Sequence, residues 1–131
     1  KSRIRLFDGI PELLDSLKTN GCKLGIVTSK TRHEYTADFA APFVLSGYFG
    51  TVICVEDTPR PKPYPDPLLT YLNTARIHAE DALYIGDTLY DCLCAQNAGV
   101  DFGLAAWGNA AVQEIPADYI FKRPADVLFS C

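Results

Sequence analysis

The sequence predicts an α/β fold built on a parallel sheet. Three observations lead there. Short apolar runs alternate with stretches of helical period along nearly the whole chain, which is the sequence form of repeated βα units. No internal repeat is present, and no linker composition divides the chain. The length of 131 residues is that of one ordinary domain, enough to bury about two-thirds of its unfolded surface. One domain over residues 1–131 is therefore expected.

The elements follow in order. A helix opens at Gly9-Ile10-Pro11, with Pro11 suited to the first helical position. It carries Leu13, Leu14 and Leu17 towards the sheet and stops at Asn20-Gly21. Leu24-Gly25-Ile26-Val27 is the first strand and ends in Thr28-Ser29-Lys30. Helical spacing returns from Thr31 through Tyr35 and Phe39, with Pro42 interrupting it. Thr51 to Val55 is the second strand, with Glu56-Asp57 at its exit. From Pro59 to Pro67 five of the nine prolines fall in one stretch, which excludes a helix and stiffens the loop. Helical period resumes at Leu68 with Leu69, Leu72 and Ala75. Ala82 to Gly86 gives a third strand with Asp87-Thr88 at its carboxyl end, and a helix from Tyr90 to Ala98 stops at Gly99. Phe102 to Trp107 reads as a fourth strand and Tyr119-Ile120-Phe121 as a weaker fifth.

Composition narrows the function classes. Hydrophobic residues make up 48% and charged residues 21%, with mean hydropathy +0.03, the balance of a globular protein rather than a disordered or fibrous one. No apolar run reaches the roughly 18 residues of a membrane span, and residues 1–7 lack the apolar core of a signal peptide. A net charge of −4 without a Lys/Arg cluster argues against nucleic acid as partner. The cysteines Cys22, Cys54, Cys92, Cys94 and Cys131 contain no pair at zinc or redox spacing. They read as reduced, core-filling residues of a cytoplasmic protein. The chain starts at Lys1 and has no methionine, so it is expected to be part of a longer one.

In an open parallel sheet, ligands bind beyond the carboxyl ends of the strands. Those ends carry Thr28 and Ser29 after the first strand, Lys62 in the proline-stiffened loop after the second, and Asp87 with Asp91 after the third. Hydroxyl, ammonium and carboxylates together suit a phosphoryl group and a hard cation, because phosphoryl transfer needs positioning and charge neutralisation above all. Asp87 can bind Mg²⁺ directly, since hard cations take oxygen ligands and keep several waters. Asp91 lies one helical turn on, placed to hold a metal-bound water or to orient Lys62. Lys62 supplies a compact positive charge, and Thr28 a hydroxyl beside backbone N–H donors.

Each of these residues also has a plain structural reading. Thr28 or Ser29 can cap a helix, Lys62 can be a solvated loop lysine, and Asp87 and Asp91 can be a turn residue and a helix cap. Glu56 and Asp57 read as exposed loop acids. His33 and His78 have no partner at metal-ligand spacing, and Trp107 reads as core or sheet rim.

Three ordered segments carry a family resemblance: Leu24 to Ser29 (LGIVTS), Lys62-Pro63 within RPKPYPDPLL, and Gly86 to Asp91 (GDTLYD) followed by AQNAGV. The chain resembles the haloacid dehalogenase superfamily, and within it the phosphoglycolate-phosphatase-like branch. The resemblance implies a three-layer αβα sandwich with a Rossmann-like parallel sheet and a magnesium-dependent phosphatase acting on a small phosphorylated metabolite. It implies Thr28 as the phosphate-binding hydroxyl with Ser29 beside it, Lys62 as the charge-stabilising lysine, Asp87 as magnesium ligand and Asp91 as its partner. The family reaction passes through an aspartyl-phosphate on a nucleophilic aspartate. That nucleophile segment, Asp-x-Asp, is absent from these 131 residues. Phe7-Asp8-Gly9 lacks the second carboxylate and runs into the first helix, so Asp8 reads as a residue at the helix start.

In the family the missing strand lies between those ending in Thr28 and Asp87, so a gap in the sheet is expected there, with Lys1 to Phe7 returning from a helical cap inserted upstream. A phospho-receiver domain gathers similar groups, but its acids precede its lysine, whereas here Lys62 precedes Asp87 and Asp91. A dinucleotide-binding enzyme lacks support because no G-x-G-x-x-G follows any strand. A non-catalytic module on the same scaffold stays open, because a fold does not fix a function.

Overall fold

The computed structural model describes residues 10–40, 47–108 and 115–130. Asp8, Lys1 to Phe7, Pro42 and Cys131 lie outside them. Helix α1 spans Ile10–Thr19, with Glu12 in its first turn and Lys18 in its last, each sign matched to the helix dipole. Strand β1 is Gly25–Val27, helix α2 is Arg32–Tyr35, and β2 is Thr51–Ile53. Helix α3 covers Asp66–Ala75, β3 Leu83–Gly86, α4 Leu89–Ala98, β4 Asp101–Ala105 and β5 Tyr119–Phe121. Every strand pair is parallel. The ladders are β1-β2, in register Gly25 to Thr51, and β3-β4-β5, with Leu83 opposite Asp101 and Gly103 opposite Tyr119.

Period-two alternation sorts the strand side chains between two helical layers. Leu83 and Ile85 of β3 face Leu13 and Leu17 of α1, together with Phe121, Val127 and Trp107. Val27 of β1, Tyr84 of β3, and Phe102 and Leu104 of β4 face the other way, onto Leu68 and Leu72 of α3 and Cys92, Cys94 and Ala95 of α4. Helix, sheet and helix thus form three layers. Phe102, Leu104, Cys54, Cys92 and Cys94 are fully buried, and Cys54, Cys92 and Cys94 are free thiols.

Local chemistry moves several boundaries. The helix expected from Leu68 begins at Asp66, inside the proline stretch, with Pro67 in its first turn. That turn needs no N–H from Pro67, so the proline marks the helix start instead of excluding it. The second strand stops at Ile53, because Asp57 accepts the Cys54 N–H at 2.8 Å and curls Val55–Asp57 into a 3₁₀ turn. The fourth strand stops at Ala105, and Trp107 sits in the following 3₁₀ turn against the α1 layer. After Tyr35 the helical backbone widens into a π-turn over Thr36–Ala40. Arg76 and Gly99 end α3 and α4 in the left-handed region, at φ 59° and 76°.

Among the described residues, β1 and β3 each have a single hydrogen-bonded neighbour, and the two ladders form no common sheet. Side chains link them instead. The Tyr84 hydroxyl and the Lys62 ammonium of the α3-proximal loop both reach the Val27 carbonyl, each at 3.2 Å. No helix among the described residues is long and apolar enough to cross a membrane.

Candidate active site

The carboxyl ends of β1 and β3 deliver the groups singled out in the sequence. Thr28 directly follows β1; its N–H donates to the Ile53 carbonyl at 3.0 Å, extending the β1-β2 ladder by one rung. Its Oγ1 accepts the Lys30 N–H at 3.1 Å. Thr28 is half-buried and Ser29 exposed. Neither caps α2: that position belongs to Thr31, which accepts the Glu34 N–H while Glu34 accepts that of Thr31.

Asp87 and Thr88 follow β3. Thr88 caps α4, its Oγ1 accepting the Asp91 N–H at 3.1 Å. Asp91 returns the contact with Oδ2, which accepts the N–H groups of Asp87 at 3.2 Å and Thr88 at 3.3 Å. Gly86 is required for this turn, since a Cβ there would stand 2.6 Å from Asp91 Oδ2. Asp87 is exposed and Asp91 buried.

Lys62 enters from the loop between β2 and α3 and donates to Asp91 Oδ1 at 2.8 Å. The two side chains are 10% and 11% exposed, so the pair is largely out of water. The lysine's other contact is the Val27 carbonyl, one residue before Thr28. Lys62 therefore ties the β1 end to the β3–α4 turn. The Asn97 amide donates to the Pro63 carbonyl at 3.2 Å, pinning the loop to α4, while Arg60 makes a two-pronged contact with Asp66 at 3.0 and 3.1 Å and lies over the Tyr64 ring.

Tyr84 belongs to the same cluster, and the residue-by-residue reading of the sequence missed it. Its hydroxyl lies 3.2 Å from Asp91 Oδ1, its ring packs 6.2 Å from that of Phe102, and the Lys62 ammonium sits 5.3 Å from the ring centroid. The available signal was the alternation of the third strand, which puts the one hydroxyl of Leu83-Tyr84-Ile85-Gly86 on the same face as Gly86.

Electrostatics fit this geometry. Burial pushes the Asp91 carboxyl up, but the Lys62 charge and the hydrogen bonds from Lys62, Thr88 and the Asp87 N–H outweigh it, leaving Asp91 below its ordinary 3.8 and ionised. Burial and the Asp91 charge push the Tyr84 phenol far above its usual 10, so it keeps its proton. No buried side-chain N or O atom among the described residues lacks a hydrogen-bond partner.

The other candidates are engaged elsewhere. Glu56 accepts the Arg32 N–H at 2.8 Å and Asp57 pairs with the Arg32 guanidinium, so both hold α2 against the β2 exit. His33 and His78 are exposed. As a fit for Mg²⁺, the donor set is of the right hardness but incomplete. Among the described residues no group of three or more His, Cys, Asp or Glu could hold an ion, and both Asp91 oxygens already accept hydrogen bonds. Asp87 offers one carboxylate at the open strand end, which matches an ion that takes one or two carboxylates and fills its shell with water and phosphate oxygens.

Comparison with known proteins gives a consistent picture. The family model for haloacid dehalogenase-like hydrolases matches residues 1–105. Pyrophosphatase PpaX of Bacillus velezensis is 30% identical over 125 residues, covering 93% of this chain and 57% of the relative. A putative pyrophosphatase PpaX of Caldanaerobacter subterraneus is 38% identical over 103 residues, 79% of this chain and 46% of its own. Among solved structures, a putative phosphoglycolate phosphatase from Lactobacillus plantarum superposes with TM-score 0.88 at 36% identity, covering 95% of this chain and 60% of that one. A subfamily IA hydrolase of the same superfamily from Geobacter sulfurreducens gives 0.84 at 30% identity, covering 96% and 61%. The chain thus spans between about half and three-fifths of the length of these relatives.

Proposed function

Because this chain belongs to the haloacid dehalogenase-like hydrolase family, we propose that residues 1–131 form most of the core domain of a phosphate-ester hydrolase, acting on a small phosphorylated metabolite. The observation that carries the reading is the Lys62–Asp91 pair, 2.8 Å apart and nearly dry, joining the strand end at Thr28 to the turn bearing Asp87.

In this reading each residue has a task. Thr28 already accepts the Lys30 N–H, so its own hydroxyl proton is the donor for a phosphoryl oxygen. Ser29, exposed beside it, adds a second hydroxyl. Lys62 has three N–H bonds, two of them directed at Asp91 and Val27; the third faces the charge that builds on the transferring group. Asp91 holds Lys62 in place at 2.8 Å, so of the two roles open to it the contacts support orienting Lys62. Asp87 would hold Mg²⁺, which when bound neutralises phosphate charge. The nucleophilic aspartate of the family reaction is assigned to a segment upstream of residue 1, entering the gap between β1 and β3. In that reading an electron pair on its oxygen attacks phosphorus, the ester P–O bond breaks as its oxygen takes a proton from the second acid of Asp-x-Asp, and water, giving a proton back to that acid, then attacks phosphorus to release phosphate and restore the carboxylate.

The relatives' names cover a pyrophosphatase and a phosphoglycolate phosphatase, so inorganic pyrophosphate and phosphoglycolate are the first substrates to try, with sugar phosphates and nucleotides after them. The full-length protein is expected to hydrolyse p-nitrophenyl phosphate with Mg²⁺ and to lose that activity on chelation and in Asp87→Asn. Undiminished turnover after chelation rejects the reading. If the upstream strand lacks Asp-x-Asp, the non-catalytic alternative takes its place.

A further inference from the structure

We propose that Arg60 is a positioning residue for Lys62: its guanidinium, clasped to Asp66 and laid over the Tyr64 ring, closes the arch of loop that carries the lysine. The inference rests on the phosphatase reading above. Prolines occupy positions 59, 61, 63, 65 and 67, so only Arg60, Lys62, Tyr64 and Asp66 bring N–H groups to this stretch. A loop with more than half of its donors removed cannot be held by a backbone ladder. The Tyr64 N–H donates to the Pro61 carbonyl at 3.0 Å and shapes one turn around Lys62. Side chains close the rest. Arg60 Nε and Nη2 donate to the two carboxylate oxygens of Asp66 at 3.1 and 3.0 Å, joining residues six apart on either side of the lysine. The guanidinium stands 4.4 Å from the Tyr64 ring centroid, which stacks it flat within the arch. The Thr58 hydroxyl donates to the Arg60 carbonyl at 3.0 Å, and Asn97 of α4 to the Pro63 carbonyl at 3.2 Å. All of these ties lie in the β2–α3 loop, α3 or α4. None uses β1 or β3, so a strand entering between those two leaves the arch intact.

Exposure shows which end of the clasp is the anchor. The Asp66 side chain, in the first turn of α3, is 12% exposed and that of Arg60 57% exposed, so the helix start holds the loop. An ion pair with one partner in water adds little to stability as a rule. A fork on a carboxylate differs in geometry, because two parallel N–H bonds fix direction as well as distance. The clasp is therefore suited to decide where the loop stands more than whether the chain folds. Lys62 leaves the arch between the clasped residues and reaches Asp91 at 2.8 Å. With the clasp open, the backbone at Lys62 is free to shift. A displacement of about 1 Å in a charge-stabilising group is enough to cost turnover severely.

In the full-length protein, Arg60→Ala and Asp66→Ala are each expected to lower kcat about fivefold per folded molecule while KM stays within about twofold, since the loss is felt where charge develops. The double variant should fall no more than about twofold below either single one, because both changes open the same clasp. Full additivity of the two losses overturns the proposal. So does an unchanged kcat per folded molecule with a smaller folded fraction, the mark of a purely structural pair. A rise in KM confined to Arg60→Ala makes Arg60 a substrate contact and overturns it too. Arg60→Lys keeps the charge without the fork and is expected to stay at least about threefold below wild type in kcat; wild-type turnover there means that charge alone acts, and the clasp is rejected. Arg123→Ala, which breaks an exposed pair with Asp126 beyond β5, is the control and is expected to keep wild-type turnover. Lys62→Met separates the two levels of the argument. If it is inactive while Arg60→Ala is unimpaired, only this inference fails; if it is fully active, the phosphatase reading fails and takes this one with it.

Discussion

Two helices of this chain begin with the same device and use it differently. At α2, Thr31 accepts the Glu34 N–H and Glu34 accepts the Thr31 N–H; at α4, Thr88 and Asp91 make the same reciprocal exchange. Glu34 is exposed, and the backbone and side-chain hydrogen bonds from Thr31 hold it below its ordinary 4.5, so its cap is a local affair. Asp91 is buried and spends only Oδ2 on the cap. Its Oδ1 reaches Lys62, 29 residues earlier, and Tyr84. Capping costs a helix start nothing further in water, whereas a buried carboxylate must be matched by a cation, and that demand converts a helix start into the anchor of a site.

The comparison can be broken at either end. Lys62→Met should have the largest effect, leaving Asp91 buried without its cation. We expect a loss of about 3–5 kcal/mol in urea unfolding of the full-length protein, and a fall in turnover of at least about a hundredfold. A loss below about 1 kcal/mol would mean that water screens the pair as it does at a surface.

Asp91→Asn should come next, at about 2–4 kcal/mol, because the amide keeps the shape of the cap but not the charge. It also tests the acid limb of stability. Asp91 is below its unfolded value of about 3.8 in the native state, so the native state binds fewer protons, and the gain is complete above that value. It should drain away as pH falls below about 4 through the lower native value. Unfolding curves from pH 6 to pH 2 should therefore show a shallower acid loss in Asp91→Asn than in the wild type; parallel limbs would place the titration elsewhere.

Thr88→Ala should cost about 1 kcal/mol and lower turnover several-fold, since Asp91 loses one of its tethers. Thr31→Ala should cost no more than about 1 kcal/mol, with turnover unchanged, because the α2 cap reaches no part of the Lys62 cluster. Equal effects on turnover at Thr31 and Thr88 would erase the distinction drawn between the two starts. Smallest of all, Glu34→Gln should leave the unfolding midpoint unchanged within error.

Much of this was legible without coordinates. Gly21 and Gly99 announce where α1 and α4 end, and the order of Thr28, Lys62, Asp87 and Asp91 along the strand exits carried the family resemblance. Other features were not. Asp57 pulls the chain out of β2 by accepting the Cys54 N–H, and a side chain acting on backbone three residues away looks like any exposed acid in the sequence. Pro67 within the first turn of α3 reads equally as loop or helix start until the neighbouring turn is known. Tyr84 looks like one more apolar strand residue, and only packing shows that its polar tip meets Val27, Lys62 and Asp91.

What the sequence determined by itself is therefore local: the starts and stops of helices, the alternation along strands, and the set of polar groups at their exits, all governed by interactions spanning a few residues. The tertiary structure alone decided which carboxylate is buried and which stays in water. It also decided that Lys62 crosses to Asp91, and that side chains bridge the two ladders at Val27. These depend on bringing remote segments into a space that excludes water, where an unpaired charge becomes costly and a hydrogen bond lasting.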